Sequence, residues 1–257
     1  MNLLDNPFVL SILFHPRTDQ PRYLEVAGKV QDGMIPVEND VVLGYRLYVH
    51  EPGKPVLLYF HGNGEIASDH DGIASLYHGI GASLLVVDYR GYGWSTGKPL
   101  VSTLLSDTEA VYNTLPDILK KANLSTSPLF IMGRSLGSLC AIHVAHQHPD
   151  FFKGLIVESG LAHILPLLAR LGLSPHLLGS IPDPIGNVSK MQKITLPLLV
   201  IHGEQDSLVP VANGQALYDA SPAERKTILR IPGAEHNDLM FVGLHQYMGA
   251  IQKFMDQ

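Results

Sequence analysis

The sequence predicts an α/β domain with a mostly parallel sheet and helices on both faces. Three observations predict it. Short, nearly continuous apolar runs recur at Val56–Phe60, Leu84–Val87, Leu129–Met132, Leu155–Val157, Leu198–Ile201 and Ile228–Ile231, the pattern of strands buried on both faces. Stretches with helical periodicity fill the gaps between them. Polar, glycine-bearing motifs follow several runs, at the carboxyl edge of the strands, where an open parallel sheet binds its ligands.

Length and composition set the scale. A chain of 257 residues, 46% hydrophobic and only 16% charged, is expected to form a single domain over residues 1–257 with a substantial core. The formal charge of −6 and the lack of a Lys/Arg cluster argue against a nucleic-acid partner. Cys140 is the only cysteine, so no disulfide forms within the chain, which suits a reducing cytoplasm. It falls on an apolar helical stripe and is expected to pack there.

Taken in order, Phe8–Phe14 is apolar but short and closed by His15-Pro16-Arg17. It lacks the basic leader of a secretory signal and the length of a membrane span. A short helix packed on the domain is expected, with a weak interfacial membrane contact as the lesser reading. Tyr23–His50 reads as antiparallel β, with Val41–Val49 a strand and Glu38-Asn39-Asp40 a hairpin turn. Leu104, Leu105, Thr108, Val111, Tyr112 and Leu115 share one helical face, and Leu244, Tyr247, Met248, Ile251 and Met255 another. The segment 161–197 breaks the alternation. Rich in Leu, Pro and Gly, it is expected to be a small apolar lid above the sheet.

The most informative motif is Gly133-Arg134-Ser135-Leu136-Gly137. An apolar strand precedes it and a helical pattern follows, so the serine sits on a sharp strand-to-helix turn that demands small residues two places to either side. Its hydroxyl then stands above the sheet, with the Leu136 amide aimed at whatever Ser135 attacks. After the first parallel strand comes His61-Gly62-Asn63-Gly64, whose Asn63 amide can join that of Leu136 as a pair of oxyanion donors. His61 itself is expected to brace the loop. His236, after the last strand, is placed to take the serine proton. Its orienting carboxylate is expected after the preceding strand, where Glu204 and Asp206 both stand. Asp206 is favoured, because the turn between Gly203 and Pro210 presents it toward His236. Glu158, at the end of another strand, is a rival.

With these motifs in order, the sequence resembles an α/β-hydrolase of the serine aminopeptidase-like branch. It is similar in particular to the group with His-Gly-Asn-x-Glu, here His61–Glu65, and Asp-Tyr-Arg-Gly-Tyr-Gly-x-Ser-x-Gly, here Asp88–Gly97. That group includes the Bem46-like proteins and the protein depalmitoylases of the α/β-hydrolase domain-containing 17 type. The resemblance runs from about Val41 to the C-terminus. It implies an α/β-hydrolase fold, with a mostly parallel eight-stranded sheet, helices on both faces and a small lid. It also implies a Ser135 nucleophile, a His236 base, Asp206 as its partner, and oxyanion donors at Asn63 and Leu136. The N-terminal cysteine cluster of the depalmitoylases has no counterpart here.

The reaction expected is acyl transfer to water, on an ester or thioester of an uncharged small-molecule or acyl-chain substrate, with neither metal nor organic cofactor. The apolar lid and the scarcity of basic residues near the motifs favour such a substrate. Peptide hydrolysis from a free N-terminus is the alternative and would use Glu65 and Glu158 to hold an ammonium. A non-catalytic binding protein on the same fold is a third reading. Gly91-Tyr92-Gly93 does not continue into a dinucleotide fingerprint. For His143, His146 and His148 no carboxylate or cysteine completes a metal-ligand set, and they read as a helix end. Asp88 and Arg90 are expected to pin the glycine-rich loop to the site wall, and Ser138 and Ser159 to be packing or loop residues.

Overall fold

Eight strands form one sheet in the order β1-β2-β4-β3-β5-β6-β7-β8. The computed structural model describes residues 3–21, 29–38, 40–172, 183 and 185–257. The strands are β1 (Val30–Glu38), β2 (Val41–Tyr48), β3 (Val56–Phe60), β4 (Ser83–Val87), β5 (Leu129–Arg134), β6 (Leu155–Glu158), β7 (Leu198–Gly203) and β8 (Lys226–Ile231). β1 pairs antiparallel with β2, and β2 antiparallel with β4. All pairings from β4 through β3, β5, β6 and β7 to β8 are parallel. This is the mostly parallel α/β sheet that the apolar runs predict. Every parallel strand therefore ends at one edge, and the loops after β3, β5, β6, β7 and β8 converge there.

Among the described residues the α-helices are α1 (Pro7–Leu13), α2 (Ala74–Gly79), α3 (Val101–Lys121), α4 (Gly137–Gln147), α5 (Ile164–Arg170), α6 (Asn187–Met191), α7 (Ala212–Ala220) and α8 (Leu239–Met255). Successive strand residues point to opposite faces, so the continuous runs feed two cores. Leu58, Phe60, Ile131, Leu155, Val157 and Val200 share one with α3, α4, α6 and α7. Leu57, Tyr59, Met132, Ile156, Leu199 and Ile201 share the other with α2 and α8. β8 departs from the predicted double burial. It is the edge strand, and its side chains are mostly half-buried or exposed.

The short apolar stretch near the N-terminus is helical, as its sequence predicts. Pro7 opens α1, and the Phe8 amide donates to the Asn6 side chain at 2.9 Å, a good N-terminal cap. Val9 and Leu13 pack into the larger core. Of the antiparallel region, residues 22–28 and Asn39 lie outside the described residues. The same holds for 173–182 and 184, the middle of the expected lid. Around that gap, α5 stands beside the carboxyl edge, whereas Ile185, Met191 and Ile194 are buried in the main core. No helix among the described residues is long and apolar enough to cross a membrane.

Candidate active site

Ser135 sits between the end of β5 and the start of α4 with φ at 51°, a left-handed conformation that costs a non-glycine residue about 1–3 kcal/mol. Surrounding contacts hold it there. Its amide donates to the Glu158 carbonyl at 2.9 Å, and the Ser138 hydroxyl donates to its carbonyl at 2.6 Å. A Cβ on Gly137 would fall on the Phe60 carbonyl, and one on Gly133 on the Gly137 carbonyl. Both glycines are thus dictated by close backbone approach, as the tight turn predicts.

Two loops bring a base and an acid to this hydroxyl. Ser135 Oγ lies 3.0 Å from His236 Nε2, and His236 Nδ1 lies 2.7 Å from Asp206 Oδ2. Asp206 Oδ1 accepts the Val209 amide at 2.7 Å. His202 is fully buried, with Nε2 2.8 Å from the Val209 carbonyl and 3.4 Å from Asp206 Oδ2. Burial alone would raise the Asp206 pKa, but hydrogen bonds from His202 and His236 outweigh it and hold the carboxyl well below its usual range. The Ser207 amide and hydroxyl both bond Glu235 at 3.0 Å, tying the Asp206 loop to the His236 loop. Glu204 is exposed and turned out of this arrangement. A hydroxyl so placed can pass its proton to the imidazole, whose developing charge faces a fixed carboxylate.

The loop after β3 lies on the other side of Ser135. His61 is fully buried, with Nδ1 2.8 Å from the Gly62 carbonyl and Nε2 3.3 Å from Asp88. It braces the loop, and the Tyr89 hydroxyl donates to its carbonyl at 2.6 Å. Among the described residues, no backbone or side-chain acceptor takes the Asn63 or Leu136 amide. The positive end of the α4 dipole also faces the elbow. Asp88 accepts the Ala67 amide at 2.8 Å, a bond to the segment after β3. Arg90 does not reach the site wall. It pairs with Asp107 on α3 and with Glu38, anchoring the loop away from the site.

Arg134, next to the serine, joins the remaining pieces. Its guanidinium pairs with Glu65, lies 3.2 Å from Glu158, and donates to the His236 carbonyl at 2.9 Å and to Asn237 at 2.8 Å. Glu65 accepts the Gly62 amide at 2.9 Å, and Tyr247 donates to Glu158 at 2.7 Å. Burial pushes the Glu158 carboxyl up in pKa, against the opposing pull of Arg134. For Glu65, burial is overcome and the pKa is lowered, chiefly by Arg134. Glu158 thus spends both oxygens on Arg134 and Tyr247, and the carboxylate on the His236 ring is Asp206. The expected scarcity of basic residues near the motifs is also corrected: a buried cation borders the site, neutralised by two acids.

A family model for the serine aminopeptidase family, S33, matches residues 51–178 and 187–240, well over half of the chain. The chain belongs to this family. Its fold is that of the α/β-hydrolases. It is 30% identical to the human α/β-hydrolase domain-containing protein 17B over 79% of this chain and 67% of that one. An uncharacterised protein of Mycobacterium tuberculosis strain H37Rv is 29% identical over 91% of this chain and 86% of its own. In fold, the structure of an esterase of Pyrococcus furiosus aligns with a TM-score of 0.75 at 20% identity, covering 94% of this chain and 98% of that one.

Within this family architecture, a cavity of about 220 Å³ opens onto Ser135 and His236. Its apolar walls come from Ile12 and Leu13 of α1, Leu167 and Leu171 at α5, and Leu208 and Val209. Sequence reasoning missed α1 as a wall, and missed Arg134 and His202. Arg134 carried a legible signal: a cation ending an otherwise apolar buried strand has to be paired. His202 and Tyr247 carried none, because each finds its partner only through the fold. Elsewhere, Cys140 is buried, and burial pushes its thiol up to about 12. Glu109, from α3, lies 3.0 Å from His143 and 2.8 Å from His148, so these histidines do have a carboxylate partner, one their local sequence does not reveal.

Proposed function

We propose that this chain is a serine hydrolase cleaving a carboxylic ester or thioester of an uncharged, acyl-bearing substrate. The observation that carries the reading is the continuous hydrogen-bonded chain from Ser135 through His236 to Asp206, beside two unclaimed amides. Ser135 attacks the substrate carbonyl, and His236 takes the serine proton through Nε2. Asp206 fixes the ring tautomer and stabilises its charged form, while the Asn63 and Leu136 amides take the oxyanion. Collapse expels the alcohol or thiol, protonated by His236. Water activated by the same imidazole then releases the acid from the acyl-enzyme. No step calls for a metal or an organic cofactor.

The apolar cavity walls favour an acyl chain over a charged group. The aminopeptidase reading is weakened at Glu65 and Glu158, since both acids are engaged by Arg134. A lone buried thiol suits a reducing, cytoplasmic setting.

The test is hydrolysis of matched oxygen-ester and thioester substrates from acetyl to long acyl chains, with Ser135→Ala as the blank. Turnover by the wild type and loss in the variant are expected. Equal activity in the two, with the fold intact, would refute the assignment.

A further inference from the structure

Between α1 and the sheet, the chain runs across two loops of the carboxyl edge and is bonded to both. The His15 amide donates to Asn63 Oδ1 at 2.9 Å, and the Asn63 side-chain nitrogen lies 2.7 Å from His15 Nδ1. The Tyr92 hydroxyl adds a second donor to Asn63 Oδ1, at 2.7 Å. Two residues on, Arg17 donates to the Gly64 carbonyl at 3.0 Å and pairs with Asp69 at 2.6 Å. The backbone then bonds Gly93 in both directions at 2.8 Å, through the Arg17 carbonyl and the Asp19 amide.

These bonds fall where the fold needs them. Asn63 stands between two glycines, and Gly64 has φ at 78°, so the loop has little conformational restraint of its own. Its side chain is nonetheless held at both oxygen and nitrogen, which restrains the residue whose amide the acyl-transfer reading uses as an oxyanion donor. With Nδ1 as acceptor, the His15 ring proton sits on Nε2. The same stretch also shapes the cavity. Val9 and Leu13 bury the inner face of α1, while Ile12, only half-buried, lines the cavity together with His15.

We propose that residues 12–17 form a strap belonging to the acyl site, in which Ile12 limits the length of acyl chain accepted and His15 is a positioning residue for the Asn63 amide. The proposal rests on the acyl-transfer reading above. Its chemistry adds no step. Ile12 contacts the chain beyond the carbonyl, and His15 acts through Asn63.

The experiment is a chain-length profile with p-nitrophenyl esters from acetyl to dodecanoyl on the full chain, comparing wild type with Ile12→Trp, Ile12→Ala and His15→Ala. One methylene in an apolar pocket is worth roughly 10-fold or more in discrimination. Ile12→Trp is therefore expected to lower the ratio of kcat/KM for the longest accepted ester to that for acetyl by at least about 10-fold. Ile12→Ala, which cannot overpack, is expected to move the ratio the opposite way. Full loss of an oxyanion donor costs about 10²–10³ in rate. Loosening one through His15→Ala is expected to lower kcat about 10-fold at every chain length, with KM moving much less. A purely structural strap would leave the chain-length profile unchanged, or lower thermal stability without splitting kcat from KM, and either result overturns the proposal. A wild type inert on the whole panel would overturn the acyl-transfer reading instead, so the two failures are distinguishable.

Discussion

Residues 134 and 135 are neighbours in sequence, yet they belong to opposite kinds of environment. Ser135 opens onto an apolar cavity and a chain of two hydrogen bonds that ends at Asp206. Arg134 turns into a polar cluster where one cation meets Glu65, Glu158, Asn237 and the His236 backbone. The first arrangement suits moving a proton. The second holds still the three loops that must meet for it to move: the elbow, the loop after β3 through Glu65, and the histidine loop through its carbonyl. The proposed nucleophile and the cation that ties its neighbouring loops together are thus separated by a single peptide bond.

The comparison can be broken from either side. The largest effect is expected on the Ser135 side: Asp206→Asn should lower kcat about 10⁴-fold, because the amide no longer selects the productive tautomer of His236. Steady-state kinetics on any accepted ester measures it. On the other side, Arg134→Met removes one partner from a buried ionic cluster, with an expected cost of about 3–5 kcal/mol in denaturant unfolding. The loosened His236 loop should lower kcat on the order of 10²-fold, the penalty of a displacement near 1 Å.

The pH dependence sharpens the contrast. Without Arg134, the Glu158 carboxyl, already raised in pKa by burial, loses the charge that opposes that rise, so above the unfolded value of about 4.3 the folded variant binds more protons than the unfolded one. The stability deficit of Arg134→Met relative to wild type should therefore shrink as pH is lowered toward that value. Asp206 has the opposite sign. Its folded pKa is depressed, so its contribution is full above the unfolded value of about 3.9 and is lost as pH falls below it. The stability advantage of wild type over Asp206→Asn should fade on acidification, and unfolding at a series of pH values follows both trends. The smallest effect is expected from Glu158→Gln, which keeps a hydrogen-bonding group for Tyr247 and leaves Glu65 on Arg134. A loss of less than about 10-fold in kcat is expected, since the substitution leaves the ring of His236 on Asp206. A larger loss than for Asp206→Asn would reverse the assignment of the acid.

What was legible in the sequence follows the same division. Strand runs, the elbow and the loops after β3, β7 and β8 carry local signals, because each is a short stretch whose residue types answer a local demand. The parallel sheet then brings Ser135, Asp206 and His236 to one edge with no further information. The cluster around Arg134 draws one group each from the loop after β3, from β6 and from α8, and no local pattern links Glu65, Glu158 and Tyr247. Arg90 shows the converse: its motif suggested a place at the site wall, but a buried guanidinium goes where carboxylates are, here Asp107 and Glu38. α1 reads locally as an apolar helix, and only the path of the chain after it makes it a cavity wall.

The most direct test of the central claim is to look for the acyl-enzyme itself. Asp206→Asn, incubated with an activated long-chain ester and quenched in acid, should gain the mass of one acyl group, and peptide mapping should place it on Ser135. The same treatment of Ser135→Ala should give no adduct. An acyl group on another residue, or ester turnover surviving in Ser135→Ala, would contradict the account.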